Sequence, residues 1–177
     1  MSTINPRGDY QAALALKTKG NEAFKKKEYQ TALKHYSQIF SHIGMNSRMY
    51  ISQVTNTSGK SNPYVASSRS KLQKSTDELR LNAFNNMAAV YLQMEKYENV
   101  IEKTSRVLEE DETNTKALFR RGMAYRKLGR LDEARQDLNE AGRTQKVQSV
   151  DPAIQREFKL LQQEYAKQTA RASNTVK

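Results

Sequence analysis

The sequence predicts an all-α fold of three antiparallel helix pairs closed by a single C-terminal helix. Three observations lead there. Apolar residues recur at spacings of three and four through residues 10–42, 79–110 and 115–142. Each stretch is interrupted once, near its middle, by a short polar turn. The stretches also keep step with one another. Tyr91 and Tyr125 are 34 residues apart, as are Ala88 and Gly122, and Gly20 lies 68 before Ala88, twice that period.

The first stretch carries Ala13, Leu16, Gly20, Ala23 and Phe24 on one helical stripe, then a turn at Lys27-Glu28. Tyr29, Ala32, Leu33, Tyr36, Ile39 and Phe40 form the second stripe. The next stretch repeats the plan. Phe84, Met87, Ala88, Tyr91 and Leu92 precede a turn at Glu95-Lys96, and Tyr97, Val100, Ile101, Thr104, Val107 and Leu108 follow. In the third, Leu118, Phe119, Gly122, Tyr125 and Leu128 run to a stop at Gly129, and Leu131, Ala134, Leu138 and Ala141 continue. A 34-residue period of small residue, aromatic, then alanine is the signature of the tetratricopeptide repeat (TPR), whose stacked pairs wind into a right-handed superhelix. Gly20, Ala88 and Gly122 are expected where the helices of a pair touch, with Ala32 and Ala134 opposite; Val100 makes the second repeat the least regular. All of these are core positions.

The pairs are expected near residues 9–26/29–45, 76–94/97–110 and 114–128/131–143. The repeats are placed at about 13–46, 81–114 and 115–148 of a domain spanning 9–168, with polar tails at 1–8 and 169–177. Residues 47–75 break the pattern. They are rich in Ser, Asn, Lys and Gly and contain Pro63, so they read as an insertion, mobile over 52–68. Ser75-Thr76-Asp77-Glu78 fits a capping box restarting the helix. The last helix is expected at 151–168, with Asp151 as N-cap, Pro152 at the first position and Ile154, Phe158, Leu161 and Tyr165 on one face. A repeat stack needs such a helix to cover its last apolar face.

Composition narrows the function. The chain has 177 residues, 37% apolar, and a net charge of +11, which favours an acidic partner. It has no cysteine, so disulfides and thiolate metal sites are excluded. MSTINPRGDY is not a secretory signal, and no run of apolar residues is long enough for a membrane span. A cytoplasmic location is expected, with the nucleus also open, and no membrane partner. Enzyme signals are poor. His35 and His42 are seven apart, too far for one metal, and read as solvated or helix-end residues. Gly59-Lys60-Ser61 resembles the end of a phosphate loop, but Val54 stands where its first glycine belongs. Asn56-Thr57-Ser58 is a sequon without a secretory route. Glu109-Glu110-Asp111-Glu112 reads as a solvated helix end. No catalytic residue, metal, cofactor or small-molecule substrate is expected.

The polar residues off the packing stripes are more informative. In a TPR stack the first helix of each pair lines the concave groove. Lys17 and Asn21 share one face of the first such helix, Asn86 takes the matching face of the second, and Lys116 and Arg120 are four apart on the third. All five can donate hydrogen bonds, and no acid stands at these positions to pair them. A peptide's terminal carboxylate with an acidic side chain would satisfy them. Phe24, Phe119 and Met123 are the apolar groups expected to seat a neighbouring aliphatic side chain.

ALKTKGNEAFKKKEYQTALKHYSQ, LNAFNNMAAVYLQMEKY and NTKALFRRGMAYRKLGRLDEARQDL resemble the carboxylate-clamp TPR domains of chaperone cofactors and large immunophilins. The insertion and the NNMAAVYLQME stretch are most similar to immunophilin TPR domains and the tetratricopeptide repeat protein nine family. The resemblance implies that Lys17, Asn21, Asn86, Lys116 and Arg120 bind the free carboxylates of Glu-Glu-Val-Asp tails of cytosolic heat-shock chaperones. It does not carry over prolyl-isomerase activity. The chain opens almost directly on its first helix and offers no β-rich segment of the required size. A co-chaperone or adaptor is therefore the leading expectation. A scaffold using another acidic C-terminus or its convex face is the alternative. Nucleic-acid binding is disfavoured, because the basic residues follow the repeat and no recognition motif accompanies them.

Overall fold

The structure is a computed structural model that describes residues 6–43, 63–144 and 152–175. Among the described residues it is all-α, with seven helices and no strand. The helices pack as TPR pairs followed by a C-terminal helix, as the repeat predicts. The chain divides into two compact units, Met1–Val90 and Tyr91–Lys177.

The first unit holds α1 (Pro6–Lys25), α2 (Tyr29–Ile43) and most of α3 (Pro63–Gln93). Ala13, Ala23, Ala32, Tyr36, Ile39 and Ile43 bury the facing stripes of α1 and α2. Leu79, Ala83, Phe84, Met87, Ala88 and Val90 bury the stripe of α3, with the Phe84 ring 4.7 Å from that of Phe40. Gly20 is small for a geometric reason. A Cβ there would lie 2.5 Å from Cε1 of Tyr36, so only glycine lets α1 approach α2 this closely.

Two expectations fail in this unit. The Ser75–Glu78 capping box does not form, because α3 begins at Pro63 and runs through it. Thr76 is buried within the helix and its hydroxyl donates to the Leu72 carbonyl at 2.8 Å. Mid-helix threonines commonly bond back one turn in this way, so the residues that resembled a cap are interior ones. Pro63 opens the helix, where its missing N–H costs nothing. The second half of the expected insertion is thus helical, and residues 44–62 lie outside the described residues, with Gly59-Lys60-Ser61 and the sequon. Nor is His35 simply solvated: its Nδ1 is buried without a hydrogen-bond partner among the described residues. His42 fits the helix-end reading, with Nδ1 3.9 Å from Asp9.

The second unit holds α4 (Tyr97–Leu108), α5 (Thr115–Lys127), α6 (Leu131–Thr144) and α7 (Pro152–Thr175). Its core runs from Val100, Thr104 and Val107 through Ala117, Leu118 and Ala124 to Leu131, Ala134, Leu138 and Ala141. Ile154 and Leu161 of α7 cover the last face. A Cβ on Gly122 would lie 2.9 Å from Cγ of Leu138, the counterpart of Gly20 against Tyr36. Asn114 N-caps α5 by accepting from the Ala117 N–H at 3.1 Å, and its own amide donates to Asp111 at 2.9 Å. Asp111 therefore organises a helix start rather than being merely solvated. Helix α7 continues to Thr175, past the expected end at 168. Asp151 lies outside the described residues.

Each first helix of a pair ends in the same way. The Glu28 N–H donates to the Ala23 carbonyl, Lys96 to Tyr91, and Arg130 to Tyr125, each at 2.9 Å. The residue before each donor is left-handed: Lys27 at φ 62°, Glu95 at 57° and Gly129 at 76°. These are three Schellman caps at one repeat position, and only the third uses glycine.

Candidate peptide-binding site

The site in the first unit grows out of the Gly20 contact. With no side chain at Gly20, the Tyr36 ring lies against α1 and its hydroxyl reaches the next residue. It donates to Oδ1 of Asn21 at 2.8 Å. From α3, 65 positions away in sequence, Nδ2 of Asn86 donates to the same oxygen at 3.2 Å. One acceptor thus takes two donors, and three helices meet at it. The amide of Asn21 is thereby turned so that its N–H groups point away from Tyr36 and Asn86. Lys17 lies one turn earlier on α1 and is partly exposed, as are Asn21 and Asn86. Phe24, one turn on, is partly exposed with its ring 6.1 Å from that of Tyr29.

Burial pushes the Tyr36 phenol above its ordinary value, so it stays a proton donor well into alkali. The expectation that all five polar groups wait without partners is corrected for three of them: Asn21 is joined to both Asn86 and Tyr36, and Arg120 is engaged within the fold. Sequence reading assigned Tyr36 to packing alone. Its ring does pack, being 2% exposed, but the hydroxyl adds a second role that periodicity does not register.

In the second unit Lys116 and Arg120 stand on α5. Lys116 is exposed in the first turn, where the helix dipole disfavours a cation. Helix stability does not account for its placement. Arg120 is partly buried and engaged within the fold. Burial lowers its pKa, yet a guanidinium remains charged at any physiological pH. Phe119 packs partly against the Leu131, Ala134, Leu138 and Leu161 cluster, and Met123 is partly exposed.

Adjacent arginines differ sharply in role. Arg121 makes a two-pronged bond to Asp137 at 2.7 and 2.8 Å and reaches the Ser105 hydroxyl at 3.3 Å. That bond to Asp137 raises its pKa despite burial. Arg126 and Glu157 form a buried pair at 2.8 Å that pins α7 to α5. Both pairs were missed from sequence, although a signal existed. Asp137 falls three after Ala134, and Glu157 falls between Ile154 and Leu161 at spacings of three and four. An acid on a buried stripe demands a buried base.

Residues 115–143 match the tetratricopeptide repeat family. Over 150 residues the chain is 30% identical to the peptidyl-prolyl cis-trans isomerase FKBP42 of Arabidopsis thaliana; the match covers 85% of this chain and 36% of that protein. The chain thus spans about a third of the length of this relative. Among solved structures, it is similar to the C-terminal TPR-containing domain of an FK506-binding protein of Plasmodium falciparum, with a TM-score of 0.70 and 22% identity over 94% of this chain and 96% of that one. It is also similar to the first TPR of Spaghetti (RPAP3), a structure bound to the HSP90 peptide SRMEEVD, with a TM-score of 0.64 and 20% identity over 94% and 99% of the two chains. No helix of the described residues is long and apolar enough to cross a membrane. Repeat period, helix pairing and these likenesses agree on a TPR fold closed by a C-terminal helix, similar to the C-terminal TPR-containing domain of that FK506-binding protein.

Proposed function

We propose that this domain is a co-chaperone or adaptor module that binds the free C-terminus of an acidic Glu-Glu-Val-Asp-type tail, as carried by cytosolic heat-shock chaperones. The observation that carries the reading is the Asn21–Asn86 bridge. It joins two carboxamides with N–H groups to spare, one of them a turn from the Lys17 cation on α1, which suits a carboxylate and nothing uncharged equally well. Lys116 and Arg120, on α5, are proposed to take acidic groups of such a ligand. Phe24, Phe119 and Met123 are assigned its aliphatic residue. The solved RPAP3 neighbour binds a peptide ending in the same four residues, which supports the reading.

Each charge-assisted bond contributes about 1.5–3 kcal/mol. Ordering a free peptide offsets much of this, so affinity on the order of micromolar is expected. Calorimetric titration with a free-acid Glu-Glu-Val-Asp peptide and its amidated twin tests the reading. The free acid should bind at least ~10-fold more tightly, because amidation removes a full charge. Equal binding of the two would refute a carboxylate-reading site and favour a scaffold using another surface. Lys116→Ala should weaken the free acid by about 1.5–3 kcal/mol with little change in stability, since the side chain is exposed. Arg120→Ala should weaken it as much but also lower stability, since Arg120 is partly buried.

A further inference from the structure

From the hydrogen bonds around Oδ1 of Asn21 we infer that Tyr36 is a positioning residue, whose hydroxyl makes the amide pair selective for a carboxylate over a carboxamide. The inference rests on the proposed carboxylate reading and adds to it the residue that sets the selectivity. A side-chain amide can present either its oxygen or its N–H groups to a ligand. For Asn21 that choice is fixed from inside the fold. The Tyr36 hydroxyl at 2.8 Å and the Asn86 Nδ2 at 3.2 Å both donate to Oδ1. What remains on Asn21 for a ligand is its two N–H groups, beside the second N–H and the oxygen of Asn86. A carboxylate accepts through both oxygens and matches an Asn21 amide that can only donate. A C-terminal carboxamide brings an NH2 of its own, which would face donors.

Without the hydroxyl, Asn86 alone holds the Asn21 oxygen, at the longer of the two distances. The Asn21 amide is then free to turn over and offer its oxygen to a carboxamide. Tyr36 is suited to its task because it cannot wander. Its ring is 2% exposed and lies against Gly20. Burial also raises its pKa, which keeps the hydroxyl a donor. Tyr36→Phe keeps the ring and removes only the hydroxyl.

Two readouts decide the matter. In the first, wild type and Tyr36→Phe are each titrated with the free-acid Glu-Glu-Val-Asp peptide and its amidated twin. Free-acid affinity is expected to fall about fivefold to tenfold, consistent with losing one oriented hydrogen bond. Amide affinity should hold or rise, so that the acid-to-amide ratio contracts. A loss shared equally by both peptides, or no loss, would mean that Tyr36 only packs. The second readout needs no peptide. In nitrogen–proton correlation spectra, the side-chain NH2 signals of Asn21 and Asn86 should shift markedly in Tyr36→Phe while the backbone amides of α6 and α7 stay in place. Unmoved NH2 signals would overturn the inference. If wild type itself fails to distinguish acid from amide, the functional proposal fails, and the NMR readout still decides whether Tyr36 orients the pair.

Discussion

The two units meet the same packing demand with opposite polar chemistry. In each, a glycine on the first helix of a pair admits a large side chain from the second: Tyr36 over Gly20, Leu138 over Gly122. In residues 1–90 the polar groups beside that contact are neutral, a phenol and two amides sharing one oxygen. In residues 91–177 they are ionic, Arg121 with Asp137 and Arg126 with Glu157. A carboxylate saturates the arginine it meets and leaves little to offer a ligand. A shared amide oxygen satisfies its donors yet leaves N–H groups facing outward. Donors closed by acids hold the fold; donors held by neutral acceptors remain available for binding.

The largest effect expected from this contrast lies in the ionic unit. Glu157→Ala strands Arg126 in a buried site and should cost about 3–5 kcal/mol in urea denaturation. Arg126→Met combined with Glu157→Leu should recover most of that loss, since a packed apolar pair needs no charge compensation. A single variant within ~1 kcal/mol of wild type would mean that the pair is solvated, contrary to its burial. The two glycines come next. Gly20→Ala and Gly122→Ala should each cost about 1–3 kcal/mol through overpacking. Only the first should also weaken free-acid peptide binding, because the displaced ring carries the Tyr36 hydroxyl away from Asn21. Equal peptide affinity in both variants would separate the packing from the site.

The Schellman caps give a smaller effect of opposite signs. Glu95→Gly should raise stability by about 0.5–1 kcal/mol by relieving a left-handed residue, and Gly129→Ala should lower it by about 1 kcal/mol. Melting temperatures moving in the same direction would contradict the shared geometry. The smallest expected effect is on pH dependence. The folded Tyr36 phenol is raised above its unfolded value by burial. Its contribution is therefore fully present below pH ~10, the unfolded phenol value, and is lost as pH rises through the folded one. Wild type should lose stability in that alkaline window more steeply than Tyr36→Phe. Superimposable profiles would show that the hydroxyl has no such burden.

Much of the fold was legible because its causes are periodic. The 34-residue step from Ala88 to Gly122 marks close helix contacts, and the turns at Lys27, Glu95 and Gly129 fall where the caps are. The start of α3 was misjudged because Ser75–Glu78 has the composition of a cap, and only tertiary burial of Thr76 reveals it as interior. The candidate site was legible as residue types. Lys17, Asn21 and Asn86 stand off the packing stripes, and their exposure follows from that. The orientation of the amides was not legible, because it depends on a hydroxyl whose ring position already had a sufficient explanation as core. Asp137 and Glu157 were overlooked for the converse reason: each was a polar residue standing on an apolar stripe.

The most direct test of the central claim watches the amides themselves. The side-chain NH2 signals of Asn21 and Asn86 are followed by NMR while free-acid Glu-Glu-Val-Asp peptide is added, and again with its amidated twin. The free acid should move both signals strongly and saturably, and the twin should leave them nearly unmoved at the same concentration. Signals that ignore the free acid while peptide binds elsewhere on the domain, or that respond equally to both peptides, would contradict a site built to read a terminal carboxylate.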